Sequence, residues 1–84
     1  MNYDWFKIFN KDEFEALDLV SKEYTFDFDG YGLKNLLVTK GNLLSVKIDD
    51  IFLSVNLNDK NPFAMDQRAI FIDPDNNVYV GIEV

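Results

Sequence analysis

The stretch SVKIDDIFLSVNL, residues 45–57, alternates apolar and polar side chains and changes phase once. Its apolar residues have even numbers before Asp49-Asp50 and, apart from Phe52, odd numbers after it. Successive side chains of a strand point to opposite faces, so one unbroken strand would send the two apolar sets to opposite sides of a sheet. A two-residue loop at Asp49-Asp50 pairs Ile48 with Ile51 and keeps both sets on one side. The stretch therefore predicts a β-hairpin, and glycine at Asp50 is predicted to be neutral or stabilising in its loop.

Similar alternation predicts strands along most of the chain. Short segments rich in Gly, Asn, Asp or Pro separate these strands and read as turns, except for a longer loop, NDKNPFAMDQ, at residues 58–67. Besides the two strands of the hairpin, the predicted strands are YDWFKIF (3–9), YTFDFDG (24–30), LKNLLVTK (33–40), RAIFI (68–72) and VYVGIEV (78–84).

One helix is predicted, from Lys11 to about Ser21. Asn10 offers an N-cap, and the acidic residues that follow it suit the first turn of a helix. The apolar residues of the segment fall on one side of a helical wheel, as in an amphipathic helix. The sequence therefore predicts an α+β fold in which an N-terminal helix packs on a mostly antiparallel β-meander of about six strands. A small curled barrel is a variant of this fold, and residues 1–84 form a single domain.

Composition and charge narrow the classes of partner. Hydrophobic residues make up 48% of the chain and aromatic residues 15%, which favours a packed core over disorder. The formal net charge of −7 disfavours nucleic acid and anionic membrane as direct partners, because phosphate contacts need Lys and Arg. A basic protein partner remains compatible with it. The first residues carry neither a basic region nor a long apolar run, so a cytoplasmic location is predicted.

Neither a metal, a cofactor nor an enzymatic activity is predicted. The segment DPDNNVYVGIEV, residues 73–84, places acidic and amide residues as a calcium-binding loop does, but Val78 stands where glycine is needed and Val84 where a bidentate Glu is needed. A hairpin turn explains its Asp, Pro and Asn residues better. Other paired carboxylates, such as Asp27 and Asp29, also lie in or beside turns, and the chain has no His or Cys.

One face of the predicted meander carries apolar residues among lysines. A two-residue loop at Gly41-Asn42 would place Leu36 opposite Lys47, which in turn lies opposite Phe52. The partner-binding face predicted in this way consists of Leu36, Val38, Leu43, Lys47 and Phe52. A contiguous apolar patch of this kind is usually buried against other residues or against a partner, because its exposure to water is unfavourable. This patch is covered either by a part of the same chain, such as the helix or the loop at Pro62-Phe63, or by another protein chain.

These features predict a non-enzymatic, small acidic protein-interaction domain. One form of it is a phage-type inhibitor that occupies the basic, nucleic-acid-binding groove of a host protein, as anti-CRISPR and anti-restriction proteins of the DNA-mimic class do. The alternative is a structural or assembly subunit, such as a small virion component, that self-associates into a homo-oligomer through an exposed sheet face.

Overall fold

Eight strands and one short helix form the computed structural model, which describes residues 2–18, 20–41, 43–56, 64–66 and 69–84. The elements are β1 (Tyr3–Asn10), α1 (Lys11–Ala16), β2 (Ser21–Phe28), β3 (Gly32–Thr39), β4 (Leu43–Ile48), β5 (Ile51–Asn56), β6 (Ala64–Asp66), β7 (Ile70–Ile72) and β8 (Asn77–Glu83). They make two antiparallel sheets: sheet 1 in the order β1-β8-β7-β6, and sheet 2 in the order β2-β3-β4-β5.

The predicted α+β fold, with a helix packed on a six-stranded meander, is wrong. The chain is mostly β, its two sheets share one hydrophobic core, and the described strands form no closed barrel. Buried side chains of this core come from both sheets and from Phe14 of the helix. Because the inner faces of the two sheets cover each other, a long helix is not needed to cover either of them.

The predicted helix starts at the right residue, Lys11, but it was predicted to continue to about Ser21, whereas the observed helix ends at Ala16. Asn10 is the N-cap, and its Oδ1 accepts hydrogen bonds from the N–H groups of Asp12 and Glu13 at 3.0 and 3.3 Å. The backbone is already extended at Leu17, with φ −76° and ψ 134°. Lys40 Nζ donates to the carbonyl oxygens of Phe14, Glu15 and Leu17, so a lysine of the neighbouring sheet caps the helix after six residues.

The hairpin at Asp49-Asp50 is confirmed in its register. Ile48 pairs with Ile51, and Lys47 pairs with Phe52. Asp49 has φ 53°, and Asp50 is not among the described residues with positive φ. A single positive φ at the first loop residue is the pattern of a type II′ turn. Glycine would therefore relieve backbone strain at Asp49, and not at Asp50, where the sequence analysis placed it.

The predicted register between β3 and β4 is wrong by one residue. Leu36 pairs with Ile48 instead of Lys47, and Val38 pairs with Val46. The connection uses residues 40–42, of which Asn42 lies outside the described residues. The Lys40 N–H donates to the Val20 carbonyl oxygen at 2.9 Å, so Lys40 leaves the β3–β4 ladder. A shift of one residue turns every side chain of a strand to the other face, and Leu36 and Val38 thus enter the core.

The sequence does not predict strand β6, which lies within the segment 58–67 predicted as a loop. Strand β6 pairs with β7 through Ala64 opposite Ile72 and Asp66 opposite Ile70. At the other side of the molecule, aromatic contacts join β1 of sheet 1 to β2 of sheet 2. The Phe6 and Phe28 rings are 4.8 Å apart between centroids, and the Phe9 and Tyr24 rings are stacked at 5.7 Å.

Candidate functional site

The structure divides the predicted partner-binding face between the core and the surface. Leu36 and Val38 are buried, at 1% and 0% exposure, so they cannot line a surface shared with Phe52. Leu43 and Phe52 are exposed, at 49% and 55%, on the outer face of sheet 2. Lys47 lies beside Phe52, with Nζ 5.3 Å from the centroid of its ring. Partner binding by the three surface residues stays a prediction, and the loop at Pro62-Phe63, predicted as one of their possible covers, lies outside the described residues.

Cross-strand rows of mixed polarity cover the outer face of sheet 2. One row contains Glu23, Leu37, Lys47 and Phe52, and the next contains Ser21, Thr39, Ser45 and Ser54. The hydroxyl oxygens of Ser45 and Ser54 are 3.0 Å apart and hydrogen-bonded. Apolar side chains on this face are thus separated by hydroxyl and charged groups, and they do not merge into one continuous apolar patch.

The outer face of sheet 1 carries the larger aromatic surface, which we call the aromatic platform: Tyr3, Trp5, Phe71 and Tyr79. Ring centroids are 5.8 Å apart for Tyr3 and Trp5, and 6.1 Å apart for Trp5 and Phe71. The Phe71 and Tyr79 centroids are 5.8 Å apart. Trp5 remains 44% exposed. Trp5, Phe71 and Tyr79, together with Asp73, line a shallow groove of about 460 Å³.

Gly81 provides the space in which the Trp5 ring lies. The two residues pair directly across the β1–β8 ladder. A Cβ atom on Gly81 would lie 3.2 Å from Trp5 Cζ3, 3.1 Å from Tyr3 Cβ and 3.0 Å from Ala69 Cβ. Glycine therefore leaves room for the Trp5 ring beside β8, and a Cβ atom at this position would need Trp5, Tyr3 or Ala69 to move by a few tenths of an ångström.

Asp73 holds a fixed negative charge at the rim of the groove. Its Oδ1 accepts the N–H groups of Asp75 and Asn77 at 2.9 and 2.8 Å, and its Oδ2 accepts Asn77 Nδ2 at 3.1 Å and the Tyr79 hydroxyl at 3.4 Å. Desolvation alone would raise the pKa of Asp73, but these hydrogen bonds to the charged form outweigh it and hold the pKa below its usual value. Desolvation, followed by the nearby Asp73 charge, raises the pKa of Tyr79.

Further carboxylates lie next to Asp73, where the start of the helix meets the β7–β8 turn. Asn10 Nδ2 donates to the Asp75 carbonyl oxygen at 3.0 Å, and Asn76 Nδ2 donates to Asp12 Oδ2, also at 3.0 Å. We call this group the acidic end: Asp12, Glu13, Asp73 and Asp75. A second group of acids, Asp27, Asp29, Asp49 and Asp50, lies around the β2–β3 and β4–β5 turns, at the opposite end of the strands.

The sequence analysis missed the aromatic platform, although one signal for it is present. In β1, Tyr3 and Trp5 share one parity with Lys7, and Phe6 and Ile8 have the other, until an irregularity between Lys7 and Phe9 lets Phe9 enter the core as well. This pattern indicates aromatic side chains on an outer face. The pairing of β1 with β8 joins residues nearly a whole chain length apart, and no local pattern predicts that Trp5 lies over Gly81.

Comparisons with known proteins supply no relative from which a function could be inferred. No protein-family model matches the chain, and neither the curated proteins nor the solved structures contain a match. Within the described ranges, no helix is long and apolar enough to cross a membrane. Within the same ranges, no three acidic side chains are grouped closely enough to hold a metal ion. Functional inference therefore rests on the geometry of the two outer faces.

Proposed function

We propose that this chain is a non-enzymatic acidic domain that binds a basic protein partner through the aromatic platform and the acidic end. The observation that carries the proposal is the half-exposed Trp5 ring in a groove whose rim holds the ionised Asp73 carboxylate. Aromatic faces attract Lys and Arg side chains, and exposed tryptophans serve as anchors in protein interfaces. The net charge of −7 adds a long-range attraction for a basic partner.

Binding suits Asp73 better than acid–base catalysis does. A carboxyl group that works as a general acid near neutral pH needs a raised pKa, whereas the hydrogen bonds at Asp73 lower its pKa. The same bonds tie the carboxylate into the β7–β8 turn and limit its freedom to move toward a substrate. A cytoplasmic location remains part of the proposal and is checked by fractionating cells that express the chain from its own gene.

The proposal is tested with immobilised 12-residue peptides of equal apolar content and net charge from −4 to +4. We expect binding to increase with positive charge and to weaken by at least about tenfold in Trp5→Ala. Phe52→Ala is the matched control, since it removes a similarly exposed aromatic ring from the other sheet. Binding that is independent of peptide charge, or equally sensitive to both substitutions, would contradict the proposal.

In the inhibitor form of this proposal, the acidic end occupies the nucleic-acid-binding groove of the partner. Two groups of four acids lie at opposite ends of the strands, so one group at a time would face such a groove. This form predicts that the chain and duplex DNA compete for the partner. A mobility-shift titration of the partner–DNA complex with the chain measures the competition. A stable ternary complex of chain, partner and DNA would contradict the inhibitor form, while the proposal that the chain binds a basic partner would stand.

The alternative proposal is a structural subunit that self-associates through the outer face of sheet 2. Its support is the half-exposed pair Leu43 and Phe52, separated from the aromatic platform by the whole core. Phe52→Ala should then lower the association state in sedimentation velocity, with Trp5→Ala as the unchanged control. Because the Phe52 ring already contacts water, we expect the variant to lose far less stability than the roughly 3–5 kcal/mol typical of removing a buried ring such as that of Phe14.

A further inference from the structure

We infer that the partner segment bound on the aromatic platform is an extended proline-rich peptide with a basic residue placed at the acidic end. This inference rests on the proposed function and names the chemistry of its partner. Three features of the platform carry it: the scarcity of free hydrogen-bond acceptors in its described middle part, its width, and the position of its charges.

Besides the Trp5 indole N–H and the tyrosine hydroxyls, the middle of the platform offers a ligand few hydrogen-bonding groups, and few of them are acceptors. Strand β8 lies between β1 and β7, and the ladders on both sides pair Trp5 with Gly81 and Phe71 with Tyr79. Both oxygens of the Asp73 carboxylate already accept hydrogen bonds from the turn and from Tyr79. A ligand N–H placed over the rings would therefore lose water without gaining a partner.

Proline avoids this loss because it has no backbone N–H. Its ring is also apolar and packs against aromatic faces, and polyproline II segments dock in aromatic-lined grooves with little loss of conformational entropy. A saccharide, the other ligand that stacks on aromatic rings, carries several hydroxyl groups, and the described lining of the groove offers them few partners.

The width of the platform fits one turn of a polyproline II helix. The platform crosses three neighbouring strands, β1, β8 and β7, which together cover about 10 Å at their usual spacing. One turn of polyproline II contains three residues at about 3.1 Å each and has nearly the same length. Two prolines three residues apart can thus contact rings at both sides of the platform.

The charges determine which end of the peptide is basic. The acidic end lies beside the Tyr79 side of the platform, because Asp73 contacts the Tyr79 hydroxyl and Asp12 contacts Asn76 of the same turn. Two cations lie nearby: Lys7 pairs with Tyr79 across the ladder, and the Lys11 N–H donates to the Asn76 carbonyl oxygen. The four carboxylates of the acidic end outnumber them. An arginine or lysine beyond the prolines would therefore be attracted to this side of the platform.

The test uses an arrayed library of 12-residue peptides in which two prolines three residues apart and one arginine occupy every possible position. Trp5 is the single tryptophan of the chain, so its fluorescence reports binding at the platform directly. For the tightest peptide, we expect both the Pro→Ala and the Arg→Glu versions to bind at least about tenfold more weakly. We expect Trp5→Ala to weaken binding similarly, as measured by calorimetry. Leu33→Ala, which removes an exposed apolar side chain from β3 of the other sheet, should leave binding unchanged.

The possible outcomes separate this inference from the proposed function. If the Pro→Ala peptides bind as tightly as their parents and still depend on Trp5, the proline inference is overturned and the binding of a basic partner stands. If no basic peptide depends on Trp5, both are overturned. If a glycan array gives Trp5-dependent binding and the peptides give none, the platform is a saccharide site and the inference is wrong. Circular dichroism of Trp5→Ala excludes unfolding as the cause of lost binding.

Discussion

Asp49 and Gly81 are the two positions where a single residue type most constrains the structure. Asp49 holds a positive φ of 53° in the β4–β5 loop, which residues other than glycine adopt at a cost. At Gly81 the constraint is steric, because the absence of a side chain makes room for the neighbouring rings of the aromatic platform. Substitution with glycine can therefore stabilise the protein at Asp49, whereas replacing Gly81 is expected to destabilise it.

Asp49→Gly is expected to stabilise the protein by up to about 1 kcal/mol, because glycine relieves the positive φ. The ion pair that it removes, between Lys34 Nζ and Asp49 Oδ2 at 3.7 Å, contributes little because the Asp49 carboxylate is exposed. Asp50→Gly is the control and should cost about 0.4–1 kcal/mol, since it only adds freedom to the unfolded chain. Urea denaturation measures both. A larger gain from Asp50→Gly than from Asp49→Gly would show that the loop strain lies elsewhere.

Gly81→Ala is expected to cost about 1–3 kcal/mol through overpacking against Ala69, Tyr3 and Trp5. It should also move the Trp5 ring, so the emission maximum of the single tryptophan should shift in the folded variant. Gly41→Ala provides a control, because a Cβ there would meet nothing within 4 Å. Unchanged stability and fluorescence in Gly81→Ala would contradict the close approach of these side chains.

The β7–β8 turn is the element that connects the local sequence to the candidate site. Asp73 closes the turn through the N–H groups of Asp75 and Asn77, as expected for Asp in a DPDNN segment. The same turn receives Asn10 at the start of the helix and presents Asp73 to the groove. One short segment thus fixes the hairpin, anchors the helix and places the charge at the rim.

This turn should make stability sensitive to acid. The pKa of Asp73 is lowered in the folded state, so its contribution is present above the unfolded pKa of about 3.9 and is lost as the pH falls through the lower folded value. Asp73→Asn should be less stable than the wild type at pH 7 and lose less on acidification below about pH 4. Unfolding by urea at several pH values measures this, with Asp50→Asn as the comparison. An identical acid dependence in Asp73→Asn and the wild type would contradict the role of the turn.

At the scale of the whole molecule, two features govern behaviour: the shared core of the two sheets and the excess of negative charge. The two faces that the core leaves outside differ in chemistry, with the aromatic platform on sheet 1 and rows of mixed polarity on sheet 2. A net charge of −7 on 84 residues opposes compaction through repulsion among the carboxylates.

Added salt should therefore stabilise the folded chain. Raising NaCl from about 0.02 to 0.5 M shortens the range of charge repulsion to a few ångströms, and the melting temperature should rise. Few ion pairs oppose this effect, because the two in the described part of the chain are 3.7 Å long and have exposed carboxylates, so both are weak. Scanning calorimetry in NaCl and in KCl separates screening from ion-specific effects. A melting temperature that falls with salt would show that attractive pairs dominate the charge interactions.

The sequence by itself determined the features that depend on neighbouring residues. These are the β4–β5 hairpin, the N-cap at Asn10, the DPDNN turn and the alternation of β2, and each follows from backbone preferences or from the two-residue period of a strand. Local signals of this kind act within a few residues of the chain, so a reading of the sequence recovers them.

Only the tertiary structure decided the length of the helix, the β3–β4 register and the pairing of β1 with β8. The helix ends where Lys40 caps it, and the register follows from packing Leu36 and Val38 against the opposite sheet. The aromatic platform exists because Trp5 and Gly81, 76 positions apart in the sequence, meet across one ladder. Such contacts depend on how two sheets bury their inner faces together, and this is a property of the whole chain rather than of any segment.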